Sequence, residues 1–503
     1  MINQTAPDTS DDVSEALGEA EIQAYKQKSI SGAISFTIRS LFLYGMGLAT
    51  TLILSAYLTV EAFGIYGLVT QLVALLAYFS DIGLGPALIQ KKAEPTLTEY
   101  RAAFTIQQLL SWLVVGLTFA LIRFVPMISE KLGDQGLVAL MVLVFSIPLG
   151  SLKTVPANIL ERKLDFSKLI IPNIAEQLVY NAILIYLAMS GYGVISYAYA
   201  IGARALVGVV VMYLVQSWSF GLSLNSKAAR SILGMGLKFQ MSTMLAPIKD
   251  NLFYLTLGWI LPVKEFGYIM WSKNWSQVPY MLTVQNVISI TFPAYSRIQH
   301  RQDLLKKAIE KTLFFITLAI FPLLVGMSIF IIPLTQVIER YHKWQLAVPT
   351  FIMFTLSIGW AAISTPLTNT LNALGKVGTT LKLMIMWTIL TWGMTPVGIY
   401  FFGFNGVAAA ALVISFSSYA SIYYVRKHVE IEVWGNVWRQ LLASSVMAGA
   451  GVLGLSIWSQ SLLHLLLGGV TVSLVYLASL LIIGQQKLRL EVNSILVSRH
   501  QFF

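Results

Sequence analysis

The sequence contains no cysteine and has few charged residues. The absence of cysteine excludes disulfides, thiolate metal sites and a cysteine nucleophile. Charged residues make up 11% of the 503 positions, against about 25% in a typical soluble chain. Hydrophobic residues reach 56%, and the mean hydropathy is +0.71. Because a soluble chain of this length could not bury so much apolar surface, the composition predicts an integral membrane protein.

Motifs for nucleotide hydrolysis and for common forms of catalysis are also missing. The sequence has no G-x-x-x-x-G-K-[ST] phosphate loop, and Gly375-Lys376-Val377-Gly378 does not supply one. The five histidines are scattered without metal-ligand spacing, and no serine elbow is present. We therefore expect no enzyme, no metal and no cofactor, and leave open coupling to a proton or sodium gradient. The net charge of +11 is interpreted through membrane topology rather than as a nucleic-acid footprint.

The hydrophobic runs predict an all-α polytopic membrane protein. Crossing the membrane takes about 20 mostly apolar residues. This criterion predicts about fourteen spans, near 32–59, 63–89, 102–123, 136–158, 168–189, 192–217, 236–261, 266–293, 312–338, 345–372, 381–402, 405–425, 438–459 and 462–484. Of the 34 Lys and Arg residues, 25 then fall on one side, 5 on the other and 4 inside spans. The positive-inside rule places the side with 25, and both termini, in the cytoplasm.

An internal repeat predicts two parallel halves. The segment Leu58-Thr59-Val60-Glu61-Ala62-Phe63-Gly64 recurs as Leu261-Pro262-Val263-Lys264-Glu265-Phe266-Gly267, and two shorter matches follow at similar offsets. Parallel repeats of this kind form rocking transporters with a central cavity between the halves. The prediction divides the chain into an acidic cytoplasmic tail (1–30), a six-helix half (31–218), a cytoplasmic linker (219–235), a second six-helix half (236–425), a helix pair (426–485) and a cytoplasmic tail (486–503).

Ionisable residues inside the spans are the candidate site. A charge at mid-bilayer costs at least ~2.5–3.5 kcal/mol, so it should face protein or water. Helix rise arithmetic puts one group at roughly 12 Å from the cytoplasmic face and another at roughly 20 Å. The first group is Arg39, Glu176 and Arg204, and the second is Lys249, Asp250 and Lys273. Two interpretations stay open. The cations Arg39, Arg204, Lys249 and Lys273 bind an anionic headgroup, or Glu176–Arg204 and Asp250–Lys273 are structural ion pairs.

Two further features accompany these charges. Trp271 and Trp275 flank Lys273 one helical turn apart on one face. Their indoles could stack on sugar rings, although packing within the bundle is the commoner role of a tryptophan. Asp81 lies near the end of its span beside Gly83 and Gly85, which favours a gating or helix-end role over ligand contact.

The chain resembles a known family of exporters. The run Phe63-Gly64-Ile65-Tyr66-Gly67, leading to Phe79-Ser80-Asp81-Ile82-Gly83-Leu84-Gly85 and Ala87-Leu88-Ile89-Gln90, looks like the second helix of bacterial polysaccharide exporters. The resemblance covers about residues 30–485. It is to the Wzx-type oligosaccharide-lipid flippases of the multidrug/oligosaccharidyl-lipid/polysaccharide superfamily, which export O-antigen and colanic-acid units.

That resemblance implies a function. The protein would flip undecaprenyl-pyrophosphate-linked oligosaccharides across a bacterial inner membrane for surface polysaccharide synthesis, by alternating access. A polysaccharide polymerase and a chain-length regulator would be its partners. A cation-coupled multidrug extruder of the same superfamily is the alternative. A polytopic glycan polymerase ranks last, because the outer loops are short and hold few acids.

Overall fold

A computed structural model describes residues 43, 45–91 and 93–500 of the chain, and this part is helical without strands. Within this part, nine helices or helix pieces make up the first half and the first helix of the second half, α9. Their bounds are α1 Gly45–Tyr57, α2 Val60–Ser80, α3 Leu84–Gln90, α4 Leu97–Phe124, α5 Pro126–Leu152, α6 Thr154–Arg162, α7 Phe166–Met189, α8 Ile195–Val215 and α9 Ser226–Ile260.

The second half continues with helices that are interrupted more often. Their bounds are α10 Val263–Tyr280, a π-helical turn Met281–Gln285, α11 Asn286–Ile298, α12 Gln302–Val337, a 3₁₀ segment Glu339–Ala347, α13 Val348–Ala373, α14 Val377–Phe402, α15 Asn405–Ser415, a 3₁₀ turn Phe416–Ser418 and α16 Tyr419–Arg426. The last helices are α17 Val433–Leu453, α18 Leu455–Trp458 and α19 Leu462–His500.

Helices occupy all fourteen predicted spans within the described residues, which confirms the polytopic all-α class. Ten helical segments in this part are long and apolar enough to cross a membrane. The count of fourteen stays a prediction. Several helices begin before the apolar run does, since polar residues can be helical outside the hydrocarbon. Helix α9 begins at Ser226, inside the predicted linker, and Asn225 caps it by accepting hydrogen bonds from the amides of Lys227 and Ala228.

The repeated segments meet each other in space. We call the end of the bundle where α1 ends and α2 begins the outer end, because the charge count predicts that it faces away from the cytoplasm. Here α2 and α10 cross in direct backbone contact. A Cβ on Gly64 would lie 2.1 Å from the Val263 carbonyl oxygen, and one on Gly267 would lie 2.1 Å from that of Val60. Only glycine permits this reciprocal approach.

A core of buried side chains joins the two halves at this end. It combines residues of α1, α2, α5, α7 and α8 with residues of α10, the 3₁₀ segment and α13. Trp344 is at its centre, stacked on Trp271 with ring centres 4.6 Å apart and meeting the edge of Phe63 at 5.1 Å. The domain boundaries stay predictions, but the segments that defined the repeat are in mutual contact.

Candidate functional site

In the first half, a buried acid is held between two bases. Glu176 of α7 is 3% exposed. It forms an ion pair with Lys153, which directly follows α5, and its Oε2 lies 3.4 Å from Nε of Arg204 on α8. One turn beyond Arg204, Gly208 leaves room for the carboxylate, because a Cβ there would lie 2.2 Å from Oε1 of Glu176. The predicted partners Glu176 and Arg204 are therefore together, with Lys153 as a third member.

Tyrosines surround this cluster. The Arg204 guanidinium carbon lies 5.6 Å from the centre of the Tyr180 ring. Tyr66 of α2 and Tyr197 of α8 are stacked, with ring centres 3.5 Å apart and planes 8° from parallel. The acid of the first half is thus neutralised by protein bases, and protein rings cover its neighbourhood.

The charges of the second half are arranged differently. Lys249 and Asp250 are adjacent on α9 and form an ion pair at 2.5 Å, with 31% and 62% of their side chains exposed. The Lys273 ammonium of α10 lies 3.3 Å from the centre of the Tyr254 ring. The predicted Asp250–Lys273 ion pair is not formed, because Asp250 pairs with its chain neighbour and Tyr254 covers Lys273. This cluster therefore combines the Lys273 ammonium, bound to the face of an aromatic ring, with the solvent-exposed carboxylate of Asp250.

A cavity of about 390 Å³ opens beside these residues, between α9, α13, α14 and α15. Lys249, Asp250 and Tyr254 form part of its wall. Eight hydroxyl side chains line the rest together with Trp387, Trp392 and six apolar residues, which are Phe253, Phe354, Ala361, Val407, Ala411 and Ile414. The hydroxyls are Ser357, Ser364, Thr365, Thr388, Thr391, Thr395, Ser415 and Ser418.

Several of these hydroxyls donate to carbonyls of their own helices. Ser357 donates to Phe354 at 2.8 Å, and Thr388 donates to Met384 at 2.7 Å. A hydroxyl that donates in this way keeps its lone pairs free to accept. The cavity can therefore accept hydrogen bonds from a polyhydroxylated ligand, while its indoles offer flat apolar faces.

A second, apolar cavity of about 650 Å³ lies between the second half and the terminal helices. Residues of α12, α13, α15 and α17 form most of its lining, and most of them have hydrocarbon side chains or aromatic rings. It is suited to a hydrocarbon chain rather than a headgroup.

The other predicted residues have defined positions, with one exception. The indoles of Trp271 and Trp275 both donate to Ser55 Oγ, at 3.0 and 3.2 Å, so they do share a face. They are only 1% and 8% exposed, so protein covers that face in this conformation, and glycan stacking stays a prediction. Asp81 accepts a hydrogen bond from the Gly83 amide at the end of α2. Arg39 lies outside the described residues.

The sequence reasoning missed three parts of the site. The charge count places Lys153 among the cytoplasmic loop residues, and no signal in the sequence identifies Tyr254. The hydroxyl lining was also missed, although Thr388, Thr391 and Thr395 are spaced three and four residues apart and so share one helical face.

Two crossing half-bundles, charged groups inside them and polar and apolar cavities define the class: a multi-pass membrane protein with a transporter fold. A family model described as "Polysaccharide biosynthesis protein" matches residues 53–349. The chain belongs to this family.

Relatives and solved structures agree with this assignment. The chain is 22% identical to the Escherichia coli (strain K12) lipopolysaccharide biosynthesis protein WzxC over 83% of this chain and 84% of the relative. It is 21% identical to the Rhizobium meliloti (strain 1021) succinoglycan biosynthesis transport protein ExoT, over 74% and 73%. These similarities confirm the resemblance to polysaccharide exporters.

The fold is similar to that of the lipid II flippase MurJ in an inward closed conformation. The TM-score is 0.72 at 15% identity, covering 91% of this chain and 100% of that one. An inward-facing multidrug resistance MATE family transporter of the MOP superfamily matches with a TM-score of 0.53 at 18% identity, over 76% and 94%. At these identities the likeness concerns the fold alone.

Proposed function

We propose that this protein flips lipid-linked oligosaccharides across a bacterial inner membrane for the synthesis of a surface polysaccharide, either O-antigen, capsule or exopolysaccharide. Its cargo would be an undecaprenyl-pyrophosphate-linked repeat unit. The protein works by alternating access, with both termini in the cytoplasm. A polysaccharide polymerase and a chain-length regulator act after it on the outer side.

The observation that carries this proposal is the second-half cluster beside the hydroxyl-lined cavity. Lys249 and Lys273 supply two positive charges near one exposed acid, and a pyrophosphate would displace Asp250 as the partner of Lys249. The neighbouring hydroxyls accept hydrogen bonds from sugar hydroxyls. Family membership and the transport role in the name of ExoT support the same cargo class.

The other predicted cations differ from these two. Arg204 is paired with the buried Glu176, whereas the acid that pairs with Lys249 is exposed and can be displaced into water, so we assign Arg204 to the structure of the first half rather than to the headgroup. Arg39 stays a predicted headgroup contact. The apolar cavity beside the terminal helices suits part of the polyprenyl chain, whose remainder stays in the bilayer.

A cation-coupled multidrug extruder is the second candidate, and the fold likeness to the MATE transporter is the observation that favours it. An extruder of cationic drugs would need accessible acids without competing bases. Among the described spans, Glu176 and Asp250 both have lysine partners, which favours an anionic cargo.

The test is flipping in liposomes. Purified protein is reconstituted with fluorescent undecaprenyl-pyrophosphate oligosaccharide, and access of an external quencher to the inner-leaflet pool is timed. We expect acceleration over empty vesicles, and its loss in Lys249→Glu and Lys273→Glu. Lys168→Glu, which reverses an exposed lysine paired with Asp165, is the matched control and should flip normally.

Two outcomes would contradict the proposal. Flipping at the parent rate in both Lys249→Glu and Lys273→Glu would show that these lysines do not bind the headgroup. No acceleration by the parent protein, with or without a proton or sodium gradient, would favour the extruder, which a cation-coupled efflux assay then examines.

A further inference from the structure

Cations are scarce at the outer end, and most of them join the two halves. The topology places only five Lys and Arg residues on this side. Four of them contact the opposite half: Lys131, Lys264, Arg340 and Lys343. The positive-inside rule disfavours cations on this side of the membrane. Their concentration at the contact between the two halves therefore indicates a role in that contact.

Lys131 of α5 reaches the end of α9, the first helix of the other half. Its ammonium donates to the carbonyl oxygens of Trp259 at 3.1 Å and Leu261 at 2.7 Å. The last carbonyls of a helix lack intrahelical partners and carry the negative end of the helix dipole. An ammonium placed there donates hydrogen bonds to the unpaired carbonyls and offsets the negative end of the dipole.

Lys343 of the 3₁₀ segment makes the reciprocal contact. Its ammonium donates to the carbonyl oxygens of Ala56 at 2.9 Å and Leu58 at 2.5 Å, at the end of α1. Helix α1 is the counterpart of α9 in the repeat. The two lysines lie 212 positions apart and the carbonyls they meet lie 203 apart. The repeated segments of the sequence are offset by 203 to 213 positions, so both separations agree with the repeat.

The α1 side carries additional donors from the same segment. The Tyr341 hydroxyl donates to the Leu52 carbonyl at 2.6 Å, and the Trp344 indole donates to that of Ser55 at 2.7 Å. The Arg340 guanidinium lies 4.1 Å from the centre of the Tyr57 ring. All these contacts must break if the halves separate at this end, as must the glycine crossing of α2 and α10.

We propose that Lys131 and Lys343 are a reciprocal latch: each caps the first helix of the opposite half and holds the outer end closed. They are positioning residues for transport and touch no cargo. When the halves part, water near the membrane surface can solvate the freed carbonyls and ammonium groups, so the latch biases the equilibrium without locking it. The proposal rests on the alternating access of the proposed function but not on the identity of the cargo.

Spin-label distance measurements without cargo test this latch. Because the chain has no cysteine, labels can be introduced without removing native ones. Tyr192→Cys with Phe402→Cys reports the outer end, and Lys163→Cys with Lys376→Cys reports the opposite end. All four residues are exposed, and the two members of each pair belong to different halves.

The expected result is opposite changes at the two ends. In Lys131→Met, Lys343→Met and the double variant, the outer pair gains a longer distance and the other pair gains a shorter one. Each lysine should change the open-to-closed ratio by about fivefold. Lys131→Arg and Lys343→Arg should retain the parent distances. Lys264→Met is the control and should keep the parent distances. Lys264 forms an ion pair with Glu61 at 3.7 Å in which both side chains are exposed, and such a pair contributes little.

Unchanged distances in the double methionine variant would overturn the latch. Broadening at both ends would also overturn it, because this indicates a loosened fold rather than a shifted equilibrium. Neither result depends on whether the protein flips an oligosaccharide, so failure of the latch and failure of the proposed function are distinguishable.

Discussion

The two halves of this protein place charges at their centres in different ways. In the first half, one buried carboxylate is shared by Lys153 and Arg204, and stacked tyrosines lie around it. In the second half, Asp250 is 62% exposed, Lys249 is its only described ion-pair partner, and Lys273 rests on an aromatic ring beside a cavity. The acid is therefore buried between its bases in one half and exposed to solvent in the other.

This difference follows from what surrounds each acid. Burying a carboxylate costs free energy unless protein bases pair with it. Removing the acid of such a cluster in turn leaves its bases without a compensating charge, which destabilises the fold. An exposed ion pair contributes little to stability, because solvent already screens it. We therefore expect substitutions in the first cluster to affect folding and those in the second to affect transport.

Glu176→Ala should have the largest effect on stability. It leaves Lys153 and Arg204 without their acid, and because both bases are partly exposed we expect a loss of about 2–3 kcal/mol. Thermal unfolding in detergent measures it. The control is Asp165→Asn, which removes a charge paired with an exposed lysine at 3.2 Å but keeps the cap of α7, so it should matter little. Equal unfolding temperatures for the two variants would show that Glu176 does not stabilise the fold.

Gly208→Ala should have the next largest effect. The added methyl would lie 2.2 Å from the Glu176 carboxylate and must push it from its bases, at a cost of about 1–2 kcal/mol. Gly393→Ala is the matched control, because nothing lies within 4 Å of a Cβ there. It should stabilise by about 0.5–1 kcal/mol through helix propensity. The same unfolding assay compares them, and a stabilised Gly208→Ala would contradict the tight packing of this cluster.

Asp250→Asn should have the smallest effect on stability, within about 0.5 kcal/mol, because its ion pair is exposed. Removing this acid frees Lys249, so headgroup affinity should rise rather than fall. Parallel unfolding and binding measurements check both expectations. A large loss of stability would show that the two clusters do not differ as described.

Much of the fold could be predicted from the sequence, because hydrophobic length and charge alternation are local signals. The repeat could also be found, since Gly64 and Gly267 are required wherever two backbones come into contact. The helix starts were less predictable. Hydropathy measures only the apolar part of a helix, whereas α9 and α12 begin with polar turns outside it.

The candidate site was predictable in depth but not in pairing. Rise per residue placed Glu176 level with Arg204, and they are in contact. The same arithmetic placed Asp250 level with Lys273, but Tyr254 occupies the face that a direct pair would need. Spacing also showed that Trp271 and Trp275 share a face, yet it could not show that Ser55 and Trp344 cover it. The depth of a residue in the membrane and the helix face on which it lies follow from helix geometry. Which group packs against that residue depends on tertiary structure, which spacing along the sequence does not give.

Equilibrium binding of undecaprenyl pyrophosphate to the detergent-solubilised protein tests the central claim most directly. The claim is that the second-half cations hold the headgroup and the first-half cluster does not. Lys249→Met combined with Lys273→Met should weaken binding roughly tenfold or more, while Arg204→Met binds as the parent does. Retained affinity in the double variant, with affinity lost in Arg204→Met, would contradict the account.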